Sequence, residues 1–175
     1  MGERTNVSGT ELPTCRLVQP GDARALGRLF ERLERQGVEK FFHPHPLTLE
    51  AAAERAAYTG RDLYCVLEFG TELVGYGILH GWDKGYEIPG LGIAIDPDWQ
   101  GRGYGRLFMR FLHELARRRG AKRIRLRVYP ENLRAVQFYR SLGYVFNDTR
   151  DPDSQIVGFA DLHAPEPPKA GEQVE

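Results

Sequence analysis

LGIAIDPDWQGRGYG, residues 91–105, runs from five apolar or small residues through an Asp-Pro turn into three alternate glycines, and RLFMRFLHELARRRG, residues 106–120, continues it at helical spacing. Strand, glycine loop and helix in that order make a place to hold an anion. The N–H groups of a helix's first turn lack intrahelical partners and lie at the positive end of the dipole, so a phosphate rests against them. Gly101, Gly103 and Gly105 let a ligand come close to the backbone with no Cβ in the way.

Two familiar nucleotide loops do not fit. The dinucleotide fingerprint G-x-G-x-x-G needs glycine at 106, which is Arg, and the G-K-[ST] end of a Walker loop is absent. A turn serving structure alone rarely needs three alternate glycines at the mouth of a helix.

Gln100-x-x-Gly103-x-Gly105, following a strand that ends in Asp96-Pro97, resembles the acyl-CoA signature [QR]-x-x-G-x-[GA] of the GNAT family of N-acetyltransferases. Downstream, Asn132, Ala135, Phe138, Tyr139, Leu142, Gly143 and Tyr144 in ENLRAVQFYRSLGY resemble the family's second signature. The two motifs lie within Leu91 to Tyr144, and the order of elements agrees with the family from about Arg16 to Phe146. The resemblance implies an α/β fold with a mixed central sheet, strands four and five splayed apart, and helices on both faces. It also implies acetyl-CoA as cosubstrate, entering at the splay.

The rest of the chain is compatible with this. Its 175 residues suit one domain. Lys plus Arg and Asp plus Glu both number 24, so no bulk charge points to nucleic acid or to a membrane. Cys15 and Cys65 are isolated, with neither disulfide-framework nor zinc spacing, and are expected to be reduced. Residues 1–9 carry no apolar core of a signal peptide and no run approaches the ~20 apolar residues of a membrane span, so the expected location is the cytoplasm. Residues 1–12 are expected to be a flexible N-terminus, 13–162 the folded domain, and the Pro- and charge-rich residues 163–175 a disordered tail. No internal repeat is found, and monomer and homodimer both remain open.

Periodicity and punctuation predict the elements. Thr14–Val18 is a strand; Asp22 caps a helix carrying Ala25, Leu26, Leu29, Phe30 and Leu33, stopped by Gly37. FFHPHP, residues 41–46, must be a loop because two prolines bar regular helix. A second helix runs from Thr48 to Tyr58, and Leu63–Phe69 with Leu73–Leu79 form a hairpin about Gly70-Thr71. Ile88–Ile95 is the fourth strand. A helix from Arg106 to Gly120 buries Leu107, Phe108, Phe111, Leu112 and Leu115, with Arg117 to Arg119 as a solvated end. Ile124–Val128 is a strand with Arg125 and Arg127 on its exposed face, Asn132 caps a helix over Leu133–Leu142 with Gly143 at its stop, and Tyr144–Phe146 and Gln155–Ala160 close the sheet.

Acetyl transfer to an amine needs an anchor for the pyrophosphate, a polariser for the carbonyl, a neutral amine and a proton for the departing thiolate. Gln100, Gly101, Arg102, Gly103, Tyr104, Gly105 and Arg106 are the expected anchor, with Asn132 both cap and cofactor contact. Unpaired backbone N–H groups of Ile93, Ala94 and Ile95 on the splayed strand would hold the pantetheine and the carbonyl oxygen. Tyr139 is by its helical spacing an ordinary core residue, and by the resemblance the acid that protonates the thiolate.

In the family the base is often a Glu near the start of strand four. Glu87 stands two residues before the usual position, which is Pro89 here, and is either that base or a plain strand-end carboxylate on the face of Leu91, Ile93 and Ile95. His43 and His45, with Phe42 beside them, lie in the loop where the family receives its acceptor, as loop scaffold, as acceptor contacts or as the base, with water the further alternative for that role. A third metal ligand is not found, so no metal is expected. The expected acceptor is a small primary amine such as an amino sugar or a polyamine-like compound. A protein N-terminus or lysine is the alternative, and a non-catalytic acyl-CoA sensor a second one.

Overall fold

The computed structural model describes residues 12–163, so most of the two terminal segments, and the expectations placed on them, lie outside the described residues. Among the described residues seven strands and four α-helices follow one another as β1 (Thr14–Leu17), α1 (Ala23–Arg35), α2 (Leu49–Ala56), β2 (Leu63–Phe69), β3 (Glu72–His80), β4 (Gly90–Ile95), α3 (Tyr104–Arg118), β5 (Arg123–Val128), α4 (Leu133–Arg140), β6 (Val145–Arg150) and β7 (Ile156–Asp161). The sheet order is β1-β2-β3-β4-β5-β7-β6. All neighbours are antiparallel except β4 and β5, which α3 joins as a parallel crossover.

Both faces of the sheet are covered. Leu26, Leu29, Phe30 and Leu33 of α1 and Ala51 and Ala52 of α2 pack on Val66, Tyr76, Ile78 and Ala94. On the other face Phe108, Met109, Leu112 and Ala116 of α3 lie against Leu79, Leu91, Ile124 and Leu126. Gly77 makes this second contact close, for a Cβ there would come within 3.0 Å of Leu112 and Phe108. The α/β architecture with a mixed sheet and helices on both sides is as expected.

Several boundaries move for physical reasons. The helix after the glycine loop begins at Tyr104 rather than Arg106, because Gly103 is the left-handed residue before the first turn and Gly105 lies inside it. That helix buries Met109 and leaves Leu107 40 % exposed. Strand β4 starts at Gly90, two residues after the expected Ile88, just beyond Pro89, which has no N–H for a ladder. Asp22 holds the N-cap position of α1 but makes no side-chain capping bond: its carboxylate takes hydrogen bonds from Arg16 (2.7 and 3.0 Å) and from the Gln19 N–H (2.7 Å), and the Arg16 guanidinium holds it below the usual carboxylate range. Cys15 and Cys65 are free thiols, pushed by burial up to about 11 and about 12. No helix among the described residues is long and apolar enough to cross a membrane.

Candidate functional site

Strands β4 and β5 pair at only two positions, Gly90 with Arg125 and Leu91 with Leu126, and then part. The Arg125 N–H donates to the Pro89 carbonyl at 3.0 Å. Peptide groups of odd-numbered β4 residues therefore face β5, because alternate residues of a strand direct their hydrogen bonds to opposite sides. Even-numbered residues turn to β3, as the bond from the Asp96 N–H to the Val74 carbonyl (2.9 Å) confirms. Beyond Leu91 nothing in β5 meets the peptide group of Ile93 or the N–H of Ile95, which open into the gap. The Ala94 N–H does not join them: in the register that bonds Asp96 to Val74, Ala94 and Tyr76 form the next hydrogen-bonded pair while Ile93–Gly77 and Ile95–Gly75 are non-hydrogen-bonded, which corrects the expectation of three free amides.

The gap is a cleft of about 630 Å³ running from Phe41 and Phe42 along Ile93 and Ile95 to Gly101, Gly103, Arg106 and Tyr139. At its far end Gly101 (φ 77°) and Gly103 (φ 83°) are left-handed, and a Cβ on either would meet nothing within 4 Å. The backbone there presents open space to the α3 N-terminus, the arrangement that receives an anion. Gly105 also lines the cleft, but its missing Cβ points to packing, 3.5 Å from Phe138 of α4.

Side chains in this loop divide between cleft and scaffold. Gln100 donates its Nε2 to the Ile95 carbonyl (2.9 Å) and accepts Arg134 Nη1 on its Oε1 (2.9 Å), tying strand, loop and α4 together. Arg106 lines the cleft, with its Nη2 donating to Ser141 Oγ at 2.9 Å. Arg102 and Tyr104 do not reach it. The Arg102 guanidinium lies 5.0 Å from the Trp99 ring centroid and donates to the Asp98 carbonyl, while Tyr104 packs 6.1 Å from both Phe69 and Trp99. Only their backbone is left for a ligand.

A buried carboxylate fixes the start of the loop. Asp96, 1 % exposed, accepts from Arg32 Nε (2.7 Å), Gln36 Nε2 (3.3 Å) and the Asp98 N–H (3.1 Å). This network and the cleft-lining Gln36, Arg127 and Arg134 were missed in the sequence. Arg134 stands inside the second motif and was open to discovery as a cation in the first turn of a helix, whereas nothing local marks Gln36 or Asp96.

Asn132 caps α4, its Oδ1 accepting from the Ala135 N–H at 3.2 Å, and lines the cleft as well. Seven residues on, Tyr139 packs against Phe138 (5.6 Å) and Tyr144 (5.7 Å) and borders the cleft. Among the described residues nothing hydrogen-bonds its hydroxyl, and burial pushes the phenol up to about 12.

The acceptor-side expectations are partly overturned. Phe42 lies over Gly92 of β4, 3.2 Å from where a Cβ would stand, and lines the cleft. His45 turns inward instead: its Nε2 meets the Tyr76 hydroxyl (2.9 Å), its Nδ1 the Pro46 carbonyl (2.8 Å), and its ring packs on Phe30 (5.4 Å). Burial lowers its pKa, since there is little water to solvate the imidazolium. His43 is exposed and hydrogen-bonded to the Tyr129 hydroxyl (2.8 Å), outside the lining. Glu87 is an exposed bend residue before β4, so it does not share a strand face with Leu91, Ile93 and Ile95. Among the described residues, neither histidine nor carboxylate lines the cleft.

Comparison with known proteins agrees with this geometry. Over 53 residues the chain is 55 % identical to the mycothiol acetyltransferase of Thermobifida fusca (strain YX), a stretch that is 30 % of this chain and 16 % of that protein. Over 52 residues it is 40 % identical to a ribosomal protein bS18 alanine N-acetyltransferase of Salmonella typhimurium (strain LT2), 30 % of this chain and 35 % of the other. The chain thus matches less than two thirds of either relative's length. A crystal structure of an aminoglycoside acetyltransferase in complex with coenzyme A and kanamycin superposes with a TM-score of 0.66 at 21 % identity, covering 86 % of this chain and 95 % of that one, which shows the shared fold. The family model of GNAT acetyltransferases matches residues 26–144, from α1 through the glycine loop to the end of the second motif. With more than half of its length matched, including both β4 and α4, this chain belongs to the GNAT family of acetyltransferases.

Proposed function

We propose that this protein transfers the acetyl group of acetyl-CoA to the primary amine of a small molecule by direct attack in a ternary complex. The observation that carries the reading is the gap beyond Leu91, where the peptide of Ile93, unpaired toward β5, opens into a cleft lined by an anion cradle and by Tyr139. The cradle fits the ligand: Gly101 and Gly103 keep free the space that a Cβ would fill. When bound, acetyl-CoA supplies an acetyl group activated as a thioester.

The chain's own groups divide the work. Backbone N–H groups at the α3 N-terminus, with Arg106 and Arg134, would hold the pyrophosphate. The Ile93 N–H would hold the carbonyl oxygen as negative charge grows there. Tyr139 keeps its proton through the neutral range and would give it to the thiolate sulfur as the C–S bond breaks and the N–C bond forms. The amine's surplus proton would leave to solvent, from which Tyr139 is reprotonated. With Glu87 off the strand and His45 turned inward, solvent is the base this cleft favours.

A protein N-terminus as acceptor is the second reading, favoured by the likeness to an enzyme named for a ribosomal protein alanine. The test has two arms. CoA at 100 times its dissociation constant is expected to stabilise folding by ~2.7 kcal/mol, and release of free CoA from acetyl-CoA is expected with small amines before peptides. Absence of a thermal shift with CoA would remove the proposal.

A further inference from the structure

On the α1 and α2 side of the gap, register and packing build a surface the reading above leaves unassigned. Gly90 lies beside Arg125, so Gly92 and Arg127 come next on the same face of the sheet, opposite to Leu91 and Leu126. Phe42 covers Gly92, and Arg127 borders the cleft next to it. Phe41 and His43 close the rim against Tyr129, at 6.1 and 5.7 Å between ring centroids. The acceptor end of the cleft is therefore aromatic with one guanidinium.

Arg127 is 50 % exposed and held from behind. Asp151 (2.8 Å) and Asp153 (3.1 Å) both meet the same nitrogen, Nη1. Asp151 is itself fixed by the N–H groups of Asp153 (3.0 Å) and Gln155 (2.9 Å). The Nε and Nη2 edge has no hydrogen bond to a described residue. Such an edge is the planar fork that takes a carboxylate through two parallel bonds. The other cations bordering the cleft, Arg106 and Arg134, are tied to Ser141 and Gln100 near the anion cradle, away from Phe42.

Resting on the acetyltransferase reading, we propose that Arg127 anchors the acceptor and that the acceptor is a small amino acid, an amine with a carboxylate beside it. The carboxylate takes the Nε and Nη2 edge, the side chain lies against Phe42, and the amine faces the thioester above Ile93. A polyamine or a multiply charged amino sugar finds no carboxylate in the cleft lining to hold a second ammonium.

The experiment measures CoA release with three matched sets: free L-amino acids, their carboxamides, and the decarboxylated amines, with spermidine and kanamycin as carboxylate-free controls. The acids are expected to exceed their carboxamides by at least about tenfold in kcat/KM, the worth of a charge-assisted fork. Arg127→Gln is expected to erase that ratio while CoA affinity stays as in the wild type, and Arg127→Lys to restore it only in part. Carboxamides or plain amines turned over as well as the acids, a preference that survives Arg127→Gln, or CoA binding with no acid turned over each overturn the inference alone. Failure of the wild type to bind CoA overturns the acetyltransferase reading beneath it. Thermal unfolding of each variant separates a lost site from a lost fold.

Discussion

Alanine at the three loop glycines is expected to act with opposite signs, although the residues alternate within five positions of sequence. At Gly101 and Gly103 the backbone φ is 77° and 83°, and an added Cβ would touch nothing within 4 Å. The cost to folding is then backbone strain alone, about 1–2 kcal/mol for a left-handed L-residue. In a domain of this size that lowers Tm by about 2–8 °C. Gly105 is helical, and its Cβ would make an ordinary 3.5 Å contact with Phe138. Removing a helical glycine stabilises by about 0.5–1 kcal/mol, raising Tm by about 1–4 °C.

Ligand binding separates the sites again. The Gly103→Ala methyl would stand in the open space above the α3 N-terminus and displace at least one charge-assisted hydrogen bond to phosphate. About 1.5–3 kcal/mol per bond corresponds to a CoA affinity lower by about 10- to 150-fold. The Gly105→Ala methyl faces Phe138, so CoA affinity should change by less than about threefold. Scanning calorimetry and titration with CoA read both quantities. Unchanged CoA affinity in Gly103→Ala, or equal losses in Gly103→Ala and Gly105→Ala, would refute the placement of the anion at this loop.

Asp96→Ala removes a buried acceptor from Arg32, Gln36 and the Asp98 N–H, but leaves Arg32 bonded to Glu72 (3.2 Å) and to the Leu73 carbonyl (2.7 Å). A loss of about 2–4 kcal/mol is expected, with weaker CoA binding because the loop start is released; chemical denaturation and CoA titration check both. Tyr139→Phe is expected to keep CoA affinity and slow turnover by about 10²–10⁴-fold. Since burial holds the phenol at about 12, that deficit should be flat between pH 6 and pH 10 in kcat profiles. A third expectation concerns His45, whose pKa is lowered by burial, so the folded chain resists a proton that the unfolded chain accepts near pH ~6.5. Its neutral form contributes stability above that pH which is lost on acidification. His80 shifts in the same direction and acts in both proteins, so the Tm advantage of the wild type over His45→Phe should shrink from pH 7.5 to pH 5.5.

Local chemistry made much of the fold legible. Period 3.6 in α1 and α3, period 2 in β5, and the stops at Gly37, Gly120 and Gly143, all with positive φ, are properties of neighbouring residues. So is the Asn132 cap, made within one turn of helix. The glycine loop and the FYRSLGY segment were readable for the same reason, and the family resemblance rests on them. Tertiary structure decided the rest. The insertion of β7 between β5 and β6, and the separation of β4 from β5 after two pairs, depend on pairing between segments distant in sequence. Where loop side chains point follows from that packing. Tyr76 on β3 draws His45 inward, and Asp151 and Asp153, beyond β6, fix Arg127 at the cleft. In each case the partner lies outside the reach of a local pattern, and the energy that chooses the rotamer comes from a contact that exists only once the sheet has closed.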